Sequence, residues 1–223
     1  MYNNINPTKQ HSFLLSWLIL IFILVLAMII IGGITRITDS GLSMVEWRPI
    51  LGFLPPLSSN EWERVFNLYK STPEYTYYNE GMLLSDFKFI FFWEYFHRLW
   101  GRIIGIVFII PFIYFIVTKK IDKFITVRLL VILFFGSLQA FIGWWMVKSG
   151  LIDKPDVSQY RLAIHFGNSL LILFLLFWLI LDLKYKRSRI KFDLNLIIFF
   201  IIFVTIIAGS LVAGMDAGLM YNT

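Results

Sequence analysis

Five stretches of this chain carry almost nothing but apolar side chains: Phe13 to Ile34, Phe89 to Val117, Val127 to Val147, Leu162 to Leu183 and Leu194 to Val212. Each is at or above the roughly 20 residues an α-helix needs to cross a bilayer. The pattern predicts five transmembrane helices. The first run resembles a signal peptide in position, but it is long and ends in Gly32-Gly33 with no small-residue cleavage site, so it reads as a retained anchor. Between the first two runs lies a polar segment with its own periodicity. There Ser58-Ser59-Asn60-Glu61 precedes Trp62, Val65, Phe66 and Tyr69, a plausible cap followed by apolar positions at helical spacing. This predicts an amphipathic surface helix, separated from its neighbours by Pro55-Pro56 and Pro73, with a further short helix from Ser85 or Asp86 running into the second span.

Composition sharpens the class. Hydrophobic residues make up 58% of the chain, aromatic residues 18% and charged residues 15%, and the mean hydropathy is +0.75. The fold class is therefore an all-α integral membrane protein. It divides into a cytoplasmic tail (1–12), a four-helix transmembrane bundle (13–183) with an external loop (35–88), and a cytoplasmic loop leading to a fifth helix (184–223). The connections 118–126 and 184–193 hold eight cations, Lys119, Lys120, Lys123, Lys184, Lys186, Arg187, Arg189 and Lys191, whereas 35–88 carries five cations and seven acids. Basic short loops stay on the cytoplasmic side, which predicts a cytoplasmic N-terminus and an external large loop. The net charge of +6 is mostly this bias; it argues for contact with the lipid bilayer rather than with nucleic acid, for which no motif competes. Cysteine is absent, so any metal must use nitrogen or oxygen ligands.

Ionisable residues inside apolar runs are costly and point to function. They concentrate in Trp93-Glu94-Tyr95-Phe96-His97-Arg98-Leu99-Trp100-Gly101-Arg102 and in the stretch from Arg161 through His165 to Asn168 and Ser169. At roughly 1.5 Å per residue, His97 lies about 12 Å and His165 about 10 Å inside the outer surface, a matching depth. Glu94, His97, Arg98, Gly101 and Gly105 share one face of the second span; Gly136, Gln139 and Gly143 of the third can line the same cavity. A bland reading stands beside this one: an interhelical hydrogen bond for each histidine, an i,i+4 salt bridge for Glu94 and Arg98, and helix packing for the glycines. Two facing imidazoles suit the axial positions of a porphyrin iron, with Arg98, Arg102, Arg161, Asn168 and Gln139 as cofactor-binding candidates, arginines in particular matching propionates. Zinc would want a third or fourth ligand, and only Glu94 is in reach.

The chain also holds a faint internal repeat. Gly32-Gly33-Ile-Thr-Arg-Ile-Thr-Asp39-Ser-Gly41-Leu42, after the first span, aligns with Gly209-Ser-Leu-Val-Ala-Gly-Met-Asp216-Ala-Gly218-Leu219, after the fifth. The fifth helix reads as the first helix of a second, incomplete bundle.

Together with this repeat, Trp47-Arg-Pro49, Gly52-x-Leu-Pro-Pro56, Tyr69-Lys70-x-x-Pro73-Glu74-Tyr75 and Trp93-Glu94-Tyr-x-His97-Arg98 resemble haem A synthase of the cysteine-free alphaproteobacterial and mitochondrial type. The resemblance covers essentially the whole chain. It implies an eight-helix oxidoreductase of haem biosynthesis and cytochrome oxidase assembly, in the cell inner membrane, which oxidises the C8 methyl of haem O to the formyl group of haem A. It further implies that His97 and His165 are the metal ligands holding the substrate haem, that Glu94 is the catalytic glutamate, and that haem O synthase and an electron donor are partners. The family's second half supplies another histidine pair for a haem b, and here only His11, in the tail, is left over. The expectation is an N-terminal part of such an enzyme, an interrupted product or one piece of a split enzyme paired with a separate C-terminal fragment. The alternatives are a bis-histidine haem-binding membrane protein and a non-catalytic remnant.

Overall fold

The computed structural model describes residues 7–47, 51–152, 155–185 and 194–217. Arg48 and Pro49 of the motifs, the cations Lys186, Arg187, Arg189 and Lys191, and Gly218 and Leu219 of the repeat lie outside the described residues. Seven α-helices are described: α1 (Pro7–Ile37), α2 (Ser59–Lys70), α3 (Pro73–Tyr78), α4 (Leu84–Val117), α5 (Lys123–Gly150), α6 (Gln159–Tyr185) and α7 (Leu194–Gly214). Five of them, α1, α4, α5, α6 and α7, are long and apolar enough to cross a membrane. Helices α1, α5 and α6 overrun the apolar stretches at both ends, α4 at its start and α7 at its end. Backbone hydrogen bonds continue through the polar interfacial turns, so α1 begins within what the sequence suggests is a tail, and α4 begins at Leu84, merging the short helix expected near Ser85 with the second span.

Local chemistry sets the loop helices. Ser58 caps α2, its Oγ accepting from the amide of Glu61 at 3.2 Å, as the polar run before Trp62 suggests. Thr72 caps α3 with Pro73 in its first turn, where a missing N–H costs nothing. Asp122 caps α5, accepting from Ile125 N at 2.8 Å. The buried face of α2, Phe66 and Tyr69, meets Phe87, Ile90 and Phe91 of α4, with the Phe66 and Phe87 rings stacked at 4.8 Å. This aromatic cluster seats the loop between α1 and α4 on the end of the bundle.

Four helices form the bundle. Helix α1 packs along α4 and α6, α5 packs along α6, and α4 and α5 barely touch, so the ring of helices is open on the α4–α5 side. Helix α7 lies outside against α6. The two ends of the bundle differ. At the hairpin end, where α4 turns into α5, Leu14, Trp17, Leu18 and Ile21 interdigitate with Phe108, Phe112, Phe115, Leu129, Leu176 and Leu179 in a continuous apolar core. An ion pair between Arg128 and the buried Asp182 joins α5 to α6 there. At the loop end the interior is polar, and every candidate site residue lies in that half.

Candidate functional site

Glu94 is 3% exposed. Its carboxylate accepts from Ser43 Oγ at 2.7 Å, from the amide of Met44 at 2.7 Å, and from Arg98 Nη2 at 2.5 Å. Arg98 also donates to the carbonyl of Met44 at 3.2 Å and lies over the Trp47 ring at 5.4 Å. Glu94 and Arg98 are thus a clasp that binds the chain leaving α1 to the start of α4. The i,i+4 pairing expected from the sequence is present; Ser43 and Met44, its long-range partners, are not readable from spacing.

His97 lies one helical turn beyond Glu94. Its Nδ1 is buried without a hydrogen-bond partner. The edge carrying Cε1 and Nδ1 rests on α1 at Gly32, where a Cβ would stand 3.0 Å from Cε1 and 3.5 Å from Nδ1. His165, on α6, repeats the arrangement against α5: at Gly143 a Cβ would stand 3.0 Å from Cε1 and 3.5 Å from Nδ1, and the ring's Nδ1 is again buried without a partner. The two imidazoles lie within electrostatic reach of each other. In both helix pairs the glycine sits near the loop end of an outgoing helix and the histidine near the loop end of the incoming one.

The second nitrogens differ. Gln139 Nε2 lies 3.3 Å from His165 Nε2 and also donates to the His165 carbonyl at 3.1 Å. Gln139 Oε1 accepts from Asn168 Nδ2 at 2.6 Å, and Asn168 donates in turn to the Phe135 carbonyl at 3.0 Å. These bonds orient the Gln139 amide with its N–H toward the imidazole, so Nε2 of His165 is the acceptor and Nδ1 carries the proton. That is a neutral tautomer whose Nε2 lone pair is engaged by Gln139, so a metal at Nε2 would displace the amide.

Arg161 donates to the carbonyl of Trp145 at 2.7 Å and stacks over that indole at 4.4 Å, bracing α6 on α5. Arg102 lies one turn beyond Arg98 on the same helix. Arg36 bridges the two repeat-related turns: it donates to Asp39 at 3.0 Å, to the Ala213 carbonyl at 2.9 Å and to Asp216 at 2.5 Å. Asp39 and Asp216 adopt the same left-handed backbone, with φ of 46° and 50°, so the faint repeat is structural. Arg36 and Asp39 organise the turn, as their position after the first span suggests.

In the loop between α1 and α4, the buried Glu74 has one carboxylate oxygen without a partner, and its side chain bonds Tyr69. Burial pushes the Glu74 carboxyl up to about 8, with Glu94, Asp39 and Asp156 facing it and adding to the shift. Desolvation likewise pushes the Tyr69 phenol up. The only sequence signal for Glu74 is its place in the Tyr69-to-Tyr75 motif.

Residues 15–223 match the model of the COX15-CtaA family, described as cytochrome oxidase assembly protein. The chain is 47% identical to a protein of Nitrosospira multiformis named "Heme A synthase", over 93% of the chain and 60% of that protein. Proteins of the same name from Parvibaculum lavamentivorans (44% identical over 96% of the chain and 63% of the relative) and Wolbachia pipientis wMel (46%, 93% and 61%) are similar to it as well. The chain therefore spans about three fifths of the length of these relatives. No solved structure matches it.

Proposed function

Since the chain belongs to the COX15-CtaA family of cytochrome oxidase assembly proteins, we propose that it serves haem A biosynthesis and holds haem O between His97 and His165. The observation that carries this reading is the pair of imidazoles at one level of the bundle, each pressed on a glycine of a neighbouring helix, with the ring of helices open between α4 and α5. Nδ1 of each ring lies against a neighbouring helix, so Nε2 is the nitrogen that would ligate iron, His165 exchanging its Gln139 bond for it. Among the described residues no three His, Asp or Glu side chains converge on one point; an iron held here takes its remaining ligands from a macrocycle.

Haem O held here would present the substrate methyl group; each of two successive hydroxylations would consume one external two-electron oxidant and add one oxygen atom, and the resulting gem-diol would lose water to leave the formyl group. The protein's part is positional. His97 and His165 hold the ring plane, Gln139 and Asn168 orient His165, and the Glu94–Arg98 clasp closes the loop end over the site. Glu94, one turn from His97, is the carboxylate available to accept or return protons there. Arg98, Arg102 and Arg161 are the cations proposed to meet the haem's propionates. Lys119, Lys120 and Lys123 at the hairpin end support a cytoplasmic N-terminus and a multi-pass placement in the cell inner membrane. Haem O synthase as the source of substrate and an electron donor as reductant complete the proposal.

Expression of the chain in membranes that accumulate haem O, followed by pigment extraction, tests it. Appearance of haem A supports the enzyme reading. Glu94→Gln should then retain haem and abolish conversion; equal loss of both assigns Glu94 to the clasp alone. A second reading, a haem-binding protein without turnover, is favoured by one feature: all three donors around the Glu94 carboxylate are protein groups already committed to the loop. A low-spin haem spectrum without haem A would establish it.

A further inference from the structure

Glycine in a helix interior costs roughly 1 kcal/mol relative to alanine, so a glycine retained there calls for a local reason. Gly32 and Gly143 share one. Each faces the imidazole of a histidine on the next spanning helix, at the same two distances to the same two atoms. Other glycines of the same helices do not: at Gly33 of α1 and Gly136 of α5 an added Cβ would meet nothing within 4 Å. The coincidence is repeated between two different helix pairs, α1 with α4 and α5 with α6, which contribute opposite walls of the bundle.

We infer that Gly32 and Gly143 are positioning residues for His97 and His165: by leaving out a Cβ, each lets the Cε1–Nδ1 edge of one ring lie close on helix backbone, which fixes the ring's height, turns the Nε2 of His97 away from α1 and sets the Nε2 of His165 beside Gln139 of α5. The inference deepens the haem-binding reading and rests on it for its purpose. A Cβ at 3.0 Å is tighter than ordinary van der Waals contact, and the backbone on which it would sit is held by a continuous helix. What must give is the imidazole, which rotates or slides toward the opening. The displacement is small, but axial ligation depends on the direction of a lone pair and is sensitive to it. His97 has no other anchor, because its buried Nδ1 bonds nothing, whereas His165 also has Gln139 at 3.3 Å. The ring at position 97 therefore depends on its glycine more than the ring at position 165 does.

The test uses the whole chain in detergent with ring-labelled histidine, which gives three signals, from His11, His97 and His165. Without haem, Gly32→Ala should move the Cε1–H resonance of His97 alone, Gly143→Ala that of His165 alone, and the exposed controls Gly33→Ala and Gly136→Ala neither. With haem b added as probe, Gly32→Ala and Gly143→Ala should each bind about tenfold more weakly and lose part of the low-spin spectrum, the larger loss falling on Gly32→Ala. Alanine favours the helix, so circular dichroism should show all four variants folded. The inference is overturned if Gly32→Ala and Gly143→Ala leave both rings unmoved, if each moves both rings alike, if the controls move the rings as much, or if haem affinity and spin state match the parent. A parent that takes up no haem, with the ring-by-ring pattern intact, supports the positioning role and instead sinks the haem reading.

Discussion

The two halves of the site solve one steric problem identically and one polar problem differently. On both sides an imidazole rests on a glycine of the neighbouring helix. On the α5–α6 side the ring is tied into an amide chain, His165 to Gln139 to Asn168 to the Phe135 carbonyl. On the α1–α4 side His97 makes no such bond, and the polar groups nearby, Glu94 and Arg98, are spent on the loop between those helices. One side therefore orients its histidine directly. The other orients the loop that covers its histidine, leaving the ring to packing. A ligand bound between them would meet one stiff support and one that tightens or loosens with the loop.

The largest effect should come from breaking the clasp. Glu94→Ala leaves Arg98, whose side chain is 13% exposed, as an uncompensated buried charge and strips partners from Ser43 and Met44. The expected loss is about 3–5 kcal/mol, seen as a lower unfolding temperature in detergent and early proteolysis of the 38–83 segment. On the opposite side, Gln139→Leu leaves Asn168 and the His165 carbonyl short of a partner and should cost about 1–3 kcal/mol. Its specific signature is a change in the His165 tautomer in ring nitrogen spectra, with His97 unaffected. If Gln139→Leu instead disturbs His97 as much as His165, the two sides are not independent.

Glu74 sharpens the contrast, since Glu94 is the first of the carboxylates that face it. Its carboxyl titrates near 8 in the fold and at an ordinary 4.5 when unfolded, so between these values the folded chain holds a proton the unfolded chain has released. Stability is fully present below the window and falls as pH rises through it. Glu74→Gln should flatten that slope when unfolding is followed from pH 5 to 8.5, leaving the wild-type chain the less stable of the two at the alkaline end. The smallest effect is expected at Arg36, which is partly exposed. Arg36→Lys keeps the charge but loses the fork between Asp39 and Asp216, costing under about 1 kcal/mol while freeing the end of α7 from α1, readable as faster amide exchange in the turn after Gly214.

Much of this could be read from one dimension. The five spans follow from apolar length alone, because the bilayer demands roughly 20 residues whatever surrounds them. The Ser58 cap and the α2 apolar set are local as well. The kinship of the turns at Asp39 and Asp216 was visible as a weak repeat, and the shared left-handed backbone gives it substance. Pairings between helices were not readable: that Gly32 meets His97 and Gly143 meets His165, that Glu94 reaches back to Ser43 and Met44, and that α4 and α5 part. In a water-soluble helix an apolar stripe announces the inward face. Here lipid and core are both apolar, so the spans are hydrophobic all round and their facing is set by small residues and polar contacts that reveal themselves only when the helices meet.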